Sequence, residues 1–276
     1  MPMIGTLTTT ERVLKVRLRD GSAAAEAGDD ELAVEEPLEI RIEGQSWSIT
    51  MRTPGDDLDL VAGFLVGEGV ITSPSHLVSL GLPAGALDGN SVNAVLAPGA
   101  TPPSEAAARH SVTTSACGIC GTESIDAIEK QAHWALEPDG SVVAAAVLAG
   151  LPDRLRAAQS VFDSTGGVHA AGLFTAAGDL LCVREDVGRH NAVDKVVGWA
   201  LRQDLLPLRG TVLQVSGRAS FELVQKARLA GIPVLAAVGA PSSLSRDLAH
   251  SSGLTLVGFS RAAGFNVYTH RERIGL

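Results

Sequence analysis

Aromatic side chains are scarce in this chain: 3 Trp, 1 Tyr and 6 Phe among 276 residues. That is too few for the stacking platforms on which single-stranded nucleic acids lie. Positive charge is also short, 22 Lys and Arg against 31 Asp and Glu, for a formal net charge of −9. An acidic chain has no general attraction for phosphate backbones, so nucleic acid is not an expected partner. No apolar run reaches the roughly 18 residues a spanning helix needs, so no membrane segment is expected. Met1 to Glu11 has neither a basic nor an apolar region, so no secretory signal is read there and the expected location is the cytoplasm. Cysteine is limited to Cys117, Cys120 and Cys182, a C-x-x-C with an odd third member. Such usage suits a reducing compartment better than a disulfide framework. A G-x-G-x-x-G loop, a Walker A loop and a G-x-S-x-G elbow are all absent. Dinucleotide binding of the Rossmann kind, P-loop chemistry and acyl transfer at a serine therefore lose their usual signatures.

The chain does have the means to build a core. Its apolar fraction is 45%, and a chain of this length buries enough surface to fold without metal or disulfide staples. Three parts are expected: 1–36, an N-terminal segment with an acidic flexible stretch; 37–110, a smaller N-terminal lobe; and 111–276, the main core. Residues 20–36 are acidic and small and read as a solvated loop. Leu38–Ile42 and Trp47–Met51 alternate around Glu43-Gly-Gln45 and predict a hairpin. Leu58, Val61, Ala62 and Leu65 fall at helical spacing, with Asp57 as the expected N-cap. The Pro- and Ala-rich stretch 97–110 marks the lobe boundary.

The last third reads as strand, helix, strand, helix, strand: Thr211–Val215, Phe221–Leu229, Ile232–Val238, Ser243–His250 and Leu254–Phe259. Short, continuously apolar strands alternating with helices predict a parallel βαβαβ unit, and with it an α/β fold. Three loops then converge on the carboxyl edge of the sheet, where such folds bind ligands. They are Ser216–Ser220, Gly239–Ser243 and Ser260–Gly264, each read as a strand-to-helix connection rich in small and hydroxyl side chains. Arg218 and Arg261 are placed to meet phosphate, and small residues let a ligand approach the backbone. Ordinary capped turns remain the competing reading for any one of these loops.

The cysteine pair lies in Thr113–Ser124, among glycines and hydroxyls. Ile125, Ile128, Ala132 and Leu136 follow at helical spacing, so the thiols are expected near a helix N-terminus that favours thiolate. Reactive sulfur is the first reading. A metal shared by a symmetric dimer is the second, because this chain has no second C-x-x-C to complete a zinc site. A buried inert pair is the third. Cys182, inside an apolar run, reads as a small core hydrophobe. Ser164–Gly172, with His169, and Arg184–Asn191, with Asp186, Arg189, His190 and Asn191, are dense in polar groups. They suit a ligand site, or else a hydrogen-bonded network that positions the following helix. Zinc deaminase chemistry fails: the cysteines precede His169, Ala171 replaces the glutamate and Ala116 the proline of that pattern.

Seven ordered blocks together resemble the formate dehydrogenase accessory sulfurtransferase family (FdhD). They are Arg52–Gly69, Cys117–Gly121, Ser164–Gly172, Arg184–Lys195, Ser216–Glu222, Ala240–Ser243 and Phe259–His270. The resemblance implies a cytidine-deaminase-like α/β core, usually dimeric, without the zinc chemistry. It implies a sulfur carrier that accepts persulfide sulfur from a cysteine desulfurase. The acceptor would be the molybdenum (or tungsten) bis-pterin guanine dinucleotide cofactor, bound as substrate before insertion into formate dehydrogenase. No permanently bound metal is implied, and guanine nucleotides are the expected mimics. By position Cys117 would carry the persulfide with Cys120 as its partner. The cofactor-binding stretch would fall on Phe259, Ser260, Arg261, Ala262, Ala263 and Gly264. A dithiol oxidoreductase and a metal-bridged cofactor escort are the competing functions.

Overall fold

The computed structural model describes residues 6–83, 89–98, 100, 132–136 and 142–276. Cys117 and Cys120 lie outside the described residues, as do Ile125 and Ile128 of the expected helix; Ala132 and Leu136 sit in irregular chain.

The chain opens with a hairpin of two long strands, β1 (Thr8–Arg19) and β2 (Ser22–Ala33), paired antiparallel throughout. This corrects the expectation of a solvated loop over 20–36. The acidic residues of β2 face basic ones on β1: Asp29 meets Arg12 at 2.9 Å, Asp30 meets Lys15 at 3.6 Å and Glu26 meets Arg17 at 2.9 Å. Asp20 and Gly21, at φ of 47° and 80°, form the tight two-residue turn that right-handed strand twist favours. Charge that looked like a disorder signal in β2 alone is complemented once β1 lies beside it.

The expected second hairpin is present as β3 (Glu36–Ile42) and β4 (Gln45–Arg52). Strands β5 (Leu77–Gly81) and β6 (Ser91–Leu96) extend it to a four-stranded sheet of order β4-β3-β6-β5. Helix α1 (Asp57–Gly67) follows β4, but its cap is Asp56 in a left-handed conformation, with no side-chain cap bond. Asp57 is instead drawn to the buried Arg52, whose Nε and Nη2 donate to its two carboxylate oxygens at 2.9 and 3.0 Å. A guanidinium left 2% exposed needs that fork of acceptors.

After β7 (Val143–Ala144) come helices α2 (Ala145–Ala157) and α3 (Ser160–Thr165), then strands β8 (His169–Thr175) and β9 (Leu180–Asp186). Helix α4 (Arg189–Arg202) leads into the alternating unit β10 (Thr211–Val215), α5 (Phe221–Leu229), β11 (Val234–Ala237), α6 (Ser243–Ser251) and β12 (Thr255–Arg261). Strands β10, β11 and β12 are parallel, as their apolar runs predict, and all of β10 and β11 is buried. The correction comes after β12. No helix follows; the chain turns at Ala262-Ala263 into β13 (Gly264–Val267), which pairs antiparallel with β12. The six-stranded sheet runs β13-β12-β11-β10-β8-β9, and a short β14 (Ile274–Gly275) pairs with β7.

Helix α2 covers one face of that sheet through Leu148, Leu151 and Leu155 against Phe174, Val212, Val234 and Val257. On the other face α4, α5 and α6 share one apolar core with α1 and with Leu38, Ile40 and Val92 of the four-stranded sheet. Helices α1 and α4 cross where each carries a glycine, Gly63 and Gly198. Cys182 is buried in this core at 6% exposure, and burial pushes its thiol pKa up to about 12. It is an inert hydrophobe, as its setting in the sequence suggests.

Candidate functional site

Parallel topology turns the ends of β10, β11 and β12 toward one edge, and a cavity of about 820 Å³ opens there. Ser216 and Val238 line it from the ends of β10 and β11, and Ser260, Arg261, Ala262 and Ala263 from the β12–β13 turn. Its volume is that of a small-molecule or cofactor site. The α3–β8 connection adds Gly166, Gly167, Val168 and His169; the α2–α3 segment adds Pro152, Asp153, Arg156, Gln159 and Phe162.

The six residues on which the family's cofactor stretch falls are not equivalent. Ser260 is fully buried, and its hydroxyl donates to Gln214 Oε1 at 3.3 Å, so it gives wall rather than a free hydroxyl. Arg261 is exposed and has no ion pair or hydrogen bond among the described residues. Phe259 and Gly264 flank the turn without lining the cavity. Phe259 is 42% exposed at φ 53°, beside a bulge between Gly258 and Arg261. A bulge with a left-handed aromatic re-aims the strand, and here it turns the chain toward the cavity.

Of the three loops expected to converge, only this one and the first residue of Ser216–Ser220 reach the cavity wall; from the second, only Val238, just before it, does. Arg218 is exposed and does not line this cavity; its Cα and Cγ lie beside Gly239, 3.0 Å from where a Cβ there would stand.

The two histidine-bearing segments separate. His169 lines the cavity, its pKa lowered first by burial and then by the positive charge of Arg189. His190 faces away, its Nε2 2.6 Å from Glu222 and 3.2 Å from the Ser220 hydroxyl. That hydrogen bond holds the Glu222 pKa down. Asp186 and Asn191 turn inward. Asp186 is fully buried, 2.8 Å from the Lys195 ammonium, and accepts from the Gly188, Thr53 and Asn191 donors. Burial raises the Asp186 pKa, and Lys195 opposes that shift. Lys195 also donates to the Thr53 carbonyl at 2.8 Å, and Asn191 to that of Met51 at 2.7 Å. This half of the polar constellation locks α4 to the end of β4, the network alternative of the sequence.

Sequence reasoning missed the α2–α3 wall. Pro152, Asp153, Arg156, Gln159 and Phe162 match no motif, and only the packing of α2 over the sheet brings them to the ligand edge. Among the described residues no three His, Cys, Asp or Glu side chains are grouped as a metal site, and no helix is long and apolar enough to cross a membrane.

Comparison with known proteins places this architecture. Residues 33–275 match the model of the FdhD/NarQ family. The chain is 56% identical over 273 residues to the sulfur carrier protein FdhD of Streptomyces avermitilis, covering 97% of this chain and 96% of that one. It is 43% identical over 260 residues to the protein of the same name from Sulfolobus acidocaldarius, covering 94% and 96%. A crystal structure from Desulfotalea psychrophila, described as a candidate formate dehydrogenase accessory protein, superposes with a TM-score of 0.77 at 26% identity, over 98% of this chain and 100% of that one. Matched over nearly its whole body, this chain belongs to the FdhD/NarQ family.

Proposed function

We propose that this chain is a sulfur carrier that loads Cys117 with a persulfide from a cysteine desulfurase. It then hands the sulfur to the molybdenum bis-pterin guanine dinucleotide cofactor, held as substrate before that cofactor enters formate dehydrogenase. The reading includes a cytidine-deaminase-like layering and a homodimer working in the cytoplasm. One observation carries it: in a chain whose relatives are named sulfur carriers, the turn Ser260–Ala263 forms the wall of a nucleotide-sized cavity.

The sulfur chemistry balances without an outside oxidant. The Cys117 thiolate attacks the outer sulfur of the donor's cysteine persulfide; the new S–S bond forms as the old one breaks, and the donor leaves as thiolate. On delivery, Cys120 attacks the inner sulfur of the Cys117 persulfide. The outer sulfur departs as sulfide, reduced by two electrons, and the two cysteines are oxidised to a disulfide. The test is intact mass after incubation with a desulfurase and cysteine. A gain of one sulfur, removed by reductant, supports the carrier; an unchanged mass removes it.

The cavity's contribution is checked with guanosine diphosphate as a mimic of one nucleotide arm. Arg261 is the unpaired cation on the wall, and a charge-assisted bond to phosphate contributes about 1.5–3 kcal/mol. Arg261→Ala is therefore expected to weaken binding by roughly ten- to hundredfold in titration calorimetry. Unchanged affinity would remove Arg261 from the site.

His169 adds a pH dependence. In the free protein its pKa lies below the ordinary 6.5. A bound phosphate beside it favours the imidazolium and raises that pKa. Binding therefore takes up a proton between the lowered value and the raised one, and affinity increases as pH falls through that window. Calorimetry in buffers of different ionisation enthalpy should show net proton uptake within that window. His169→Gln should abolish it; uptake that persists in the variant assigns it to another group.

A further inference from the structure

We infer that Asp153 and Gln159, on the α2–α3 wall, read the base edge of the nucleotide and select guanine; this rests on the nucleotide reading of the cavity. Gln159 is 3% exposed and lines the cavity, yet its side-chain amide makes no hydrogen bond among the described residues. It stands at the N-cap of α3 without capping it. The Glu185 carboxylate takes that role, accepting from Val161 N and Phe162 N at 2.9 Å each. A buried amide spared from its local duty and turned to a cavity lacks a partner that a ligand can supply. Asp153 also lines the cavity, and its carboxylate has no ion pair or hydrogen bond among the described residues.

Charge orients the ligand. Arg156, on the same wall, is neutralised by Asp163 at 2.6 Å and lies over the Phe162 ring at 4.6 Å. The free charge of this wall is therefore the Asp153 carboxylate, which repels phosphate. The β12–β13 wall carries the unpaired Arg261, so phosphate belongs there and the base belongs against α2–α3. A carboxylate accepts two parallel hydrogen bonds, and guanine offers two parallel donors, N1–H and the 2-amino group. Gln159 Nε2 then donates to O6. Adenine turns a bare N1 lone pair toward the carboxylate and has no O6 acceptor. A bidentate pair of this kind discriminates by about 5- to 150-fold.

The full-length chain is titrated calorimetrically with the diphosphates of guanosine, inosine, xanthosine and adenosine. The wild type should prefer the guanosine compound to the inosine compound, which lacks only the 2-amino group, by about tenfold, and should bind the adenosine compound more weakly still. Asp153→Asn should lose that preference and gain xanthosine diphosphate, whose O2 accepts from the new amide. A gain of binding cannot arise from misfolding. Gln159→Leu should weaken the guanosine and inosine compounds alike, because both carry O6. Equal wild-type affinity for guanosine and inosine, or an Asp153→Asn variant with an unchanged ratio and no xanthosine binding, overturns the inference while leaving the cavity a nucleotide site. Failure of the wild type to bind any of the four overturns the nucleotide reading and this inference with it.

Discussion

Gly63→Ala should leave no stably folded protein at ordinary temperature, and Gly198→Ala should do the same. The two glycines meet where α1 and α4 cross. A Cβ on Gly63 would fall inside van der Waals contact of the Asp194 carbonyl, 2.6 Å from its carbon. One on Gly198 would press on the Asp59 carbonyl, 2.6 Å from its carbon and 2.6 Å from the Gly63 nitrogen. The obstructing atoms are backbone on both sides, so no side chain can rotate away and the helices themselves must separate. Separation also pulls on buried ion pairs attached to the same residues. Asp59 accepts from Arg184 at 2.9 Å and pairs with Arg202, and Asp194 holds Lys226 at 2.6 and 2.8 Å. Overpacking alone costs about 1–3 kcal/mol, and a broken buried pair adds about 3–5 kcal/mol. The sum rivals a typical folding free energy of roughly 5–15 kcal/mol. Gly150→Ala in α2 is the control: a Cβ there meets nothing within 4 Å. It should stabilise by about 0.5–1 kcal/mol, because alanine restricts the unfolded chain. Urea unfolding measures all three, and a Gly63→Ala midpoint close to wild type would disprove the close crossing.

Such a crossing explains what the sequence could and could not disclose. Thr211–Val215 and Val234–Ala237 were legible because strands buried on both faces need continuous apolar residues. Helices α5 and α6 were legible from local periodicity and from Gly231 and Gly253, both at φ 74°. Gly63 carries no local signal of its role, since its reason lies on α4, far along the chain at Asp194. The β1–β2 hairpin failed differently. Its acidic strand was weighed alone, although the Asp20-Gly21 step was the local signal for a two-residue turn. At the cavity, the glycines and His169 of Ser164–Gly172 stood out by composition. Asp153 and Gln159 did not, because an unpaired polar side chain becomes informative only once its surroundings are known. The third edge loop was misassigned because Arg261 to Gly264 carries no strand signal, and β13 becomes a strand only by pairing with β12.

The two motif cysteines should differ sharply in their effects, and that difference separates a carrier from a dithiol oxidoreductase. Cys117→Ser should gain no sulfur from a desulfurase, because serine's hydroxyl is neither ionised at neutral pH nor able to form the sulfur–sulfur bond. Cys120→Ser should still load one sulfur, since the attack on the donor uses the other thiolate alone. It should then retain that sulfur, because the thiolate that would expel sulfide by closing a disulfide is gone. Sulfide released after loading, measured over the same interval, should fall at least about tenfold in Cys120→Ser, if unassisted exchange is the only remaining route. Intact mass and sulfide release on the same samples give the comparison. An oxidoreductase would differ at the variants: no stable sulfur on either one, and equal loss of activity in both. A Cys117→Ser protein that loads normally would move the carrier role to Cys120. The buried Cys182, with its thiol near 12, offers no third route, so any sulfur found on the chain belongs to the C-x-x-C pair.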